Sequence, residues 1–498
     1  MSSQDCRGCN EYIHLSRRQF LQAAGGAAAA AGLSASLPRV AFAQDYCSSR
    51  DVIVSIYLRG AADGLTLCVP YLEPAYYAAR PTLAVPPPDS TSPNRATDLD
   101  GFFGLPPAMT PLLPAYQAGN LLFVHACGSP DPSRSHFDAQ RFMEVGKPND
   151  STIFDGWLAR HLLTSPPFSP SAILRAVQID FGLHQTLQGA PLTIPVPNLG
   201  SFGLAGWSGT VGARRDVLDD LYAAFGDPLR SAAASTQATI DLLQQIDFAG
   251  YTPGGGAVYP NSAQGFGFGY SMKTAAALIK ADVGVEAVAI DIEGWDTHGN
   301  QQPFTGGYMY NLMSQLSQGL AAFHADVLMG SGRNVTLVIM TEFGRRLEEN
   351  GSLGSDHGHG STMLLIGRDI AGGRVLTQWS GLAPEQLFQG IDLAVTTDWR
   401  DILAEVVVKR LGNNNLATIF PDYTPTFRGV TTACATGDMN CDGVVTAADA
   451  APFAQAVLDP AAYGAAHPTC NRNGADVNAD GAIDGRDVQA LTRKIIGP

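Results

Sequence analysis

Carboxylates and imidazoles recur in short polar segments through the central part of this 498-residue chain. Carboxylate oxygens and imidazole nitrogens are the ligands that zinc, manganese and similar divalent ions require. Two histidines among glycines, in the run from Asp356 to His359, are typical of an open metal site, with a flexible polar loop as the alternative. The candidate ligands for one or two divalent transition metal ions, zinc or manganese, are Asp63, Asp296, His298, Glu342, Asp356, His357 and His359.

Two of these segments also have a structural interpretation. Asp296 and His298 could form a turn, because aspartate stabilises turns through hydrogen bonds to its own backbone. Glu342 could be a salt-bridge partner of Arg345 or Arg346. The sequence leaves both alternatives open.

Oxygen-bearing side chains also recur near the C-terminus, in two copies of the calcium-loop pattern that begin at Asp438 and Asp476. Gly443 and Gly481 stand where such a loop needs a sharp turn, and an apolar helical pattern follows each loop. Two such loops in one short segment predict two bound calcium ions. The predicted ligands, with backbone carbonyls at Val444 and Ala482, are Asp438, Asn440, Asp442, Val444, Thr446 and Asp449 in the first loop and Asp476, Asn478, Asp480, Ala482, Asp484 and Asp487 in the second.

Each of these C-terminal units is a loop followed by one helix, without the entering helix of an EF-hand. The arrangement resembles the type I dockerin module over residues 437–498, and aspartate in place of glutamate at the last loop position fits the resemblance. The resemblance implies docking to a cohesin-like or surface scaffold partner. A disulfide between Cys441, in the first loop, and Cys470, before the second, would join the two repeats of a module that has little core of its own.

The elements that must position the central candidates are apolar runs of strand length, alternating with amphipathic helical patterns. Nearly continuous apolar runs are expected for strands of a sheet that is buried on both faces. These runs are 52–58, 121–126, 285–292, 335–341 and 362–366. One helical stripe includes Val217 and Leu221, and another, directly before the run at 335, includes Leu316 and Leu320. The pattern predicts an α/β fold with a mostly parallel sheet and helices on both faces.

The polar segments fall at the ends of the predicted strands. In open sheets of this kind, reacting groups collect at the carboxyl ends of the strands. Asp63, Asp296 and Glu342 each follow a predicted strand, and the run from Asp356 to His359 precedes one. This placement supports a metal site at the strand ends.

Residues 50–430 resemble the alkaline phosphatase and sulfatase superfamily, and more closely its twin-arginine-exported branch, the domain-of-unknown-function 1501 family. Besides the Asp356 to His359 run, the segments that carry the resemblance are LRGAADGL from Leu58, SRSHFDAQ from Ser133, GWDTH from Gly294 and TEFGRR from Thr341. The resemblance implies an alkaline phosphatase-like fold and metal-dependent hydrolysis of phosphate or sulfate esters. It makes Asp63 a metal ligand on the first strand and Ser135 the nucleophile at a helix N-terminus.

Three features depart from the superfamily pattern. Asp296 and His298 are only two residues apart, closer than the usual spacing, so the two need not bind the same ion. Glu342-Phe343-Gly344 stands where members commonly carry Asp-His-Gly, so one histidine is absent and the Asp356 to His359 loop is expected to replace it. Pro130 stands where a sulfatase signature has its oxidised cysteine or serine, which argues against formylglycine chemistry. Ser133 is the second choice of nucleophile.

Ser135 has a structural alternative as well, because Ser135 and Asp138 have the spacing of a helix-capping pair. Arg59 and Arg134 are the candidate contacts for an anionic ester substrate, since arginine binds such groups through charge-assisted hydrogen bonds. A surface position is the alternative for Arg59.

The two ends of the chain predict export and a division into domains. Residues 16–21 read SRRQFL and precede an alanine-rich stretch too short to span a bilayer, and Ala41-Phe42-Ala43 forms a cleavage site. This is a twin-arginine signal, so the mature protein is expected in the periplasm, at the cell surface or outside the cell. The predicted division is a signal peptide at 1–43, an alkaline phosphatase-like domain at 50–430, a linker at 431–436 and the calcium module at 437–498.

Composition excludes some partners and leaves two classes of function. A net charge of −15 argues against nucleic acid as the main partner. No segment after the signal is long and apolar enough to span a membrane. The preferred function is an exported hydrolase of phosphate or sulfate esters. The rival is a non-catalytic binding or surface-assembly protein with a degenerate hydrolase fold.

Overall fold

The computed structural model describes residues 50–331, 333–432, 437–440, 445–467, 470, 472–478 and 482–496. The predicted signal peptide lies outside the described residues, as do the predicted site residues Cys441, Asp442, Val444 and Asp480. The described chain forms two compact units, one made of Ser201–Asp247 and the other of the remaining residues.

The larger unit is built on a mostly parallel sheet. The strands are β1 (Val52–Leu58), β2 (Thr97–Asp98), β3 (Gly104–Leu105), β4 (Leu121–Gly128), β5 (Ala176–Gln178), β6 (Thr193–Pro195), β7 (Ala287–Ile292), β8 (Val335–Met340), β9 (Ser361–Ile366), β10 (Arg374–Leu376) and β11 (Thr397–Asp398). Within the described residues the main sheet has the order β10-β4-β9-β8-β1-β7-β5-β6, with β11 also paired to β4, while β2 and β3 form a separate pair. Among the described strands of the main sheet, only β9 is antiparallel to its neighbours.

Helices lie between the strands and in the C-terminal segment. They are α1 (Gly64–Leu67), α2 (Pro74–Ala79), α3 (Leu113–Gln117), α4 (His136–Glu144), α5 (Trp157–Thr164), α6 (Val211–Ala223), α7 (Leu229–Gln244), α8 (Phe268–Lys280), α9 (Tyr308–Phe323), α10 (Trp399–Lys409), α11 (Leu416–Ile419), α12 (Ala450–Leu458), α13 (Pro460–Ala466) and α14 (Asp487–Ile496). None of these helices has both the length and the apolar character needed to cross a membrane.

The core of the larger unit is built from alternate strand residues and the apolar faces of helices. Ile53 and Tyr57 of β1 pack in one cluster with Trp157 of α5 and Trp399 of α10. Helix α8 contacts both β7 and α9. Successive side chains of a strand point to opposite faces, so a buried strand such as β1 needs cover on both sides. The prediction of a mostly parallel sheet with helices on both faces is confirmed.

The predicted strands and helices are present at the expected places. The five apolar runs correspond to β1, β4, β7, β8 and β9. Strands β5, β6, β10 and β11 were not predicted, because each has only two or three residues and too few side chains to show a period. The Leu316 stripe is the buried face of α9. The other stripe does form a helix, α6, but Val217 and Leu221 are 64% and 53% exposed.

One edge of the sheet gathers the loops that carry the predicted ligands. Strands β1, β7, β8 and β4 all run toward this edge, and the antiparallel β9 starts from it. The loops after β1, β4, β7 and β8 and the loop before β9 therefore meet there, as expected for an open sheet of this kind.

The C-terminal segment has its own small core, in which Met439, Phe453, Tyr463 and Leu491 are buried together. The Tyr463 hydroxyl donates a hydrogen bond to the Met439 carbonyl over 2.9 Å. Cys470 is disulfide-bonded, and its pairing with Cys441, which lies outside the described residues, stays a prediction. Cys68 and Cys127 are buried free thiols.

Candidate metal centre

Two imidazoles and a carboxylate meet at the edge where the strand-end loops converge. The Nε2 atoms of His136 and His357 are 2.9 Å apart. Asp296 Oδ1 lies 3.5 Å from His136 Nε2 and 3.2 Å from His357 Nε2. Ligand atoms at 2.0–2.1 Å from a tetrahedral zinc ion are roughly 3.3 Å apart, so these three atoms have the spacing of ligands to one ion.

His298 adds a third imidazole beside this triad. Its Nε2 lies 2.9 Å from His357 Nε2 and 3.1 Å from Asp296 Oδ1. The side chains of Asp296 and His298 are 47% and 45% exposed, so the cluster faces solvent on this side. Catalytic zinc sites commonly have three protein ligands and one position open to water or substrate. His136, His357 and Asp296 can supply the three, with His298 as a fourth candidate at the open side.

Each of the three imidazoles has an oxygen atom at its other ring nitrogen. Nδ1 of His136 is 2.7 Å from Glu342 Oε1, and Nδ1 of His298 is 3.0 Å from Asp356 Oδ1. Nδ1 of His357 is 2.8 Å from the backbone carbonyl of Arg134. Because these oxygens can only accept, each Nδ1 carries the proton in the neutral ring. Each Nε2 then presents a lone pair, the tautomer that binds metal ions.

Lone pairs that face one another at 2.9 Å repel unless a cation lies between them. A proton on His136 would satisfy its contact with His357, and Glu342 does raise the pKa of His136. One proton can bridge only one of these contacts, however, whereas His357 Nε2 faces His136, His298 and Asp296 together. A metal ion would satisfy all of these contacts at once. The nitrogen-rich donor set fits zinc better than manganese, which prefers oxygen.

Arg345 holds the loops of the cluster in place. Its side chain is fully buried and donates to the carbonyl oxygens of Gly60, Ala61, Trp295 and Ser355. It also bonds Asp296 Oδ1 over 2.6 Å. Burial favours a higher pKa for Asp296, but the hydrogen bond and charge of Arg345 lower it to about 2. Asp296 is therefore a carboxylate, as a metal ligand must be.

Glu342 orients His136 from a buried position at the end of β8. Its Oε1 accepts from Gly60 N over 3.0 Å and from Gln140 Nε2 over 2.9 Å, in addition to facing His136. Burial favours a raised pKa for Glu342, but the hydrogen bonds from His136 and Gln140 hold it below its usual value. Asp356 faces His298 in the same way, and that hydrogen bond lowers the pKa of Asp356. These two carboxylates contact the Nδ1 atoms of the rings rather than the Nε2 atoms that converge.

Asp63 and His359, the other predicted ligands, have different surroundings. Both oxygens of Asp63 are bonded to the guanidinium of Arg80, and neither side chain is exposed. His359 is stacked on Phe388, with ring centroids 4.0 Å apart. It lines a pocket of about 470 Å³, and burial lowers its pKa to about 4. The structure thus brings together Asp296, His298, Glu342, Asp356 and His357 and places Asp63 and His359 in other contacts.

The predicted nucleophile and substrate contacts already have partners. Ser135 is the N-cap of α4 and accepts a hydrogen bond from Asp138 N, which confirms the capping alternative. Arg59 forms ion pairs with Glu144 and Asp291. Burial favours a lower pKa for Arg59, but these carboxylates raise it. Arg134 forms an ion pair with Asp392 and contributes its backbone carbonyl to the centre.

His136 was missed among the predicted ligands. It is the first residue of α4, the helix that follows β4 in the chain, and it directly follows Ser135. The segment SRSHFDAQ was interpreted through its serine alone. The strand-end rule applied to β4 would have included His136, since an imidazole there lies at the same edge as Asp296 and His357.

The two C-terminal loops have matching internal hydrogen bonds. Asp449 accepts from the backbone N–H of Asn440 over 3.0 Å and of Thr446 over 2.8 Å. Asp487 accepts from the N–H of Asn478 over 3.0 Å and of Asp484 over 3.0 Å. Both aspartates are fully buried and occupy the last position of their loops. Each carboxylate therefore joins the third and ninth positions of its loop.

Comparisons with known proteins agree with the three sequence resemblances. Residues 14–34 match the TAT (twin-arginine translocation) pathway signal sequence, so the protein is exported. Residues 223–411 match the family described as a protein of unknown function (DUF1501), and residues 436–496 match the dockerin type I domain. The curated proteins give no match.

Among solved structures, the chain is similar to alkaline phosphatase from the Antarctic bacterium TAB5. The identity is 12% and the TM-score 0.24, and the match covers 64% of this chain and 91% of that one. A TM-score this low supports no inference about chemistry. The chemistry of the site is therefore argued from the geometry of the cluster.

Proposed function

We propose that this exported protein is a metal-dependent hydrolase of phosphate or sulfate esters, attached to a cohesin-type partner through its dockerin module. The observation that carries the proposal is the convergence of His136 Nε2, His357 Nε2 and Asp296 Oδ1, with both rings fixed by oxygens at Nδ1. A zinc-like ion held by these three residues would supply Lewis-acid chemistry, because it would offset negative charge on the ester oxygens. The choice of ester comes from the sequence resemblance.

Different residues of the chain would hold the ligands of this ion and act on the substrate. Glu342 and the Arg134 carbonyl hold the rings of His136 and His357, and Arg345 holds Asp296 as a carboxylate. Ser135 remains the proposed nucleophile, because it directly precedes His136 and uses its oxygen as an acceptor, which leaves its own proton to be removed. His298, on the exposed side with Asp356 at its Nδ1, is the proposed general base or a further ligand of the ion.

The C-terminal module would hold two calcium ions in its two loops. The described ligand positions offer carboxylate, amide, hydroxyl and backbone carbonyl oxygens, and calcium prefers oxygen donors. Asp449 and Asp487 make matching hydrogen bonds among the described residues of the two loops. Bound calcium would fix the two loops further, so partner binding should depend on calcium.

A non-catalytic binding protein is the second candidate, and one set of contacts favours it. Ser135 caps a helix, while Arg59 and Arg134 are paired with Glu144 and Asp392 rather than directed to an empty site. A protein that only binds a metal and a partner would need no free nucleophile or substrate arginine.

Elemental analysis of the mature protein, purified without chelator, tests the metal centre. We expect about one zinc or similar ion per chain, lost in His357→Ala and kept in His359→Ala, a matched control two residues away with a different environment. Retention of the ion in His357→Ala, or absence of any transition metal in the wild type after incubation with zinc, would contradict the proposal.

Turnover then separates the two candidates. The metal-loaded wild type should hydrolyse 4-nitrophenyl phosphate or 4-nitrophenyl sulfate, and His357→Ala should lose this activity while it keeps calcium-dependent partner binding. A wild type that holds its metal and cleaves neither ester nor a wider panel of phosphate and sulfate esters would favour the binding protein.

A further inference from the structure

A buried glutamine connects the two loops that carry the metal-centre residues. Gln301 is fully buried, and its Oε1 accepts from Thr297 Oγ1 over 3.1 Å and from Ser355 Oγ over 2.7 Å. Thr297 lies between Asp296 and His298, and Ser355 lies next to Asp356. One amide oxygen thus joins the loop after β7 to the loop before β9.

The other end of the same amide is fixed by Asp63. Gln301 Nε2 donates to Asp63 Oδ2 over 2.7 Å. The orientation of the amide follows from its partners, since a flipped amide would face its oxygen toward a carboxylate and its NH2 group toward two hydroxyl groups. Asp63 itself is held by both terminal nitrogens of Arg80 and by Thr66 Oγ1 over 2.7 Å. Burial favours a raised pKa for Asp63, but Arg80 lowers it, so Asp63 is a buried anion.

Arg80 extends this network to the chain just after Arg345. Its Nε donates to the Leu347 carbonyl and its Nη2 to the Arg346 carbonyl, each over 2.8 Å. The hydrogen bond from Ser355 N to the Thr297 carbonyl, at 3.1 Å, joins the two ligand-bearing loops directly. A small movement of either loop would break a bond inside a region that water does not reach, and an unpaired buried polar group is costly.

We propose that Gln301, fixed by the Asp63–Arg80 pair, is a positioning residue of the metal centre: it sets the distance between the Asp296–His298 loop and the Asp356–His357 loop. Asp63 then acts through Gln301 rather than as a ligand, and its charge is balanced by a guanidinium rather than by a second ion. The inference rests on the proposed metal centre of the preceding subsection.

Gln301→Met in the mature chain tests this role. Methionine keeps the volume of the side chain and removes all three hydrogen bonds. Cobalt(II) is the probe, because its visible absorption reports coordination geometry as well as binding, and excess calcium fills the C-terminal loops during the titration. Loss of an outer-shell partner typically reduces metal affinity about 10–100-fold. We expect the cobalt Kd to rise about tenfold or more, with a changed absorption spectrum.

Gln302→Met is the matched control, since it is the same substitution at the adjacent, exposed position, and it should leave both the Kd and the spectrum unchanged. If Gln301→Met does not fold, Thr297→Val tests the positioning role instead, because it removes one hydrogen bond to Gln301. It should shift the cobalt Kd and the spectrum in the same direction but by a smaller amount. A purely structural role would lower the melting temperature and leave the cobalt Kd and spectrum of the folded protein as in the wild type.

The outcomes separate this inference from the proposed function. Wild-type cobalt affinity and spectrum in folded Gln301→Met, or in Thr297→Val where it is the deciding variant, overturn the positioning role while the metal centre stands. A wild type that binds no cobalt overturns both. A wild type that binds cobalt and cleaves no ester, with weakened binding in Gln301→Met, supports the positioning role and contradicts only the hydrolase.

Discussion

An imidazole can bind a metal ion only through a nitrogen that carries no proton, so the atom at the opposite ring nitrogen decides what a histidine can do. His136 and His357 differ in this respect from His359, which is stacked on an aromatic ring and lies outside the converging set. Residue type alone does not separate these histidines. Their ring contacts do, and those contacts come from residues distant in the sequence.

Glu342→Gln tests the orientation of His136. The amide keeps the shape of the side chain but loses the negative charge that favours a protonated Nδ1. Because Glu342 Oε1 also accepts from Gly60 N and Gln140 Nε2, the substitution weakens a shared network. We expect zinc affinity to fall about tenfold or more. Competition with a chromophoric chelator measures the affinity, with the exposed Glu348→Gln as the matched control. Equal affinity in the two variants would refute an orienting role for Glu342.

Arg345→Met should destabilise the protein more than its neighbour Arg346→Met. Arg345 is fully buried and donates to four backbone carbonyls and to Asp296, so its removal leaves several buried acceptors without a donor. We expect a loss of about 3 kcal/mol or more in the free energy of unfolding. Arg346→Met, at a half-buried position, should reduce the free energy of unfolding by about 1 kcal/mol or less. Chemical denaturation of the two variants gives the comparison, and similar losses would argue against this special role of Arg345.

At the scale of elements, the loops reach the cluster because strands β1, β7 and β8 run in parallel and β9 starts at the same edge. The apolar runs predicted these strands, and the strand-end rule predicted that Asp296, Glu342 and His357 lie there. The partner of Asp63 could not be predicted, because its pairing with Arg80 depends on how the chain folds back after α2. The same rule applies to His136, which follows β4, but the prediction for that segment considered only its serines.

Gly60→Ala tests how closely the β1 loop must approach the β7 loop. Gly60 has φ +114°, and a Cβ there would lie 2.5 Å from Asp296 N. Gly101 also has positive φ, +87°, but a Cβ there meets nothing within 4 Å. Alanine at positive φ costs about 1–2 kcal/mol, so both variants should lose that stability. Only Gly60→Ala should also lose zinc, because it displaces Asp296. Full zinc content in both variants would show that this approach does not position the ligand.

At the scale of the whole molecule, the chain combines two proposed cation sites that would use different chemistry. The strand-end centre offers imidazole nitrogens, which favour zinc-like ions, whereas the C-terminal loops offer oxygens, which favour calcium. The ligands of the two sites come from separate parts of the sequence, and the C-terminal segment has its own core. Calcium and transition metal content should therefore respond to different substitutions.

Asp449→Asn and Asp487→Asn should each reduce bound calcium from about two ions to about one per chain and leave zinc content unchanged. Asp449 accepts from Asn440 N and Thr446 N through its two oxygens, so an amide would place an NH2 group against one N–H donor and would remove a charge from the calcium site. Asp459→Asn is the matched control, because Asp459 caps α13 outside the loops and asparagine caps helices equally well. Calorimetric titration with calcium gives the stoichiometry. Two calcium ions in Asp449→Asn with unchanged affinity would contradict the assignment of the first loop, whereas a loss of zinc together with calcium would contradict the independence of the two sites.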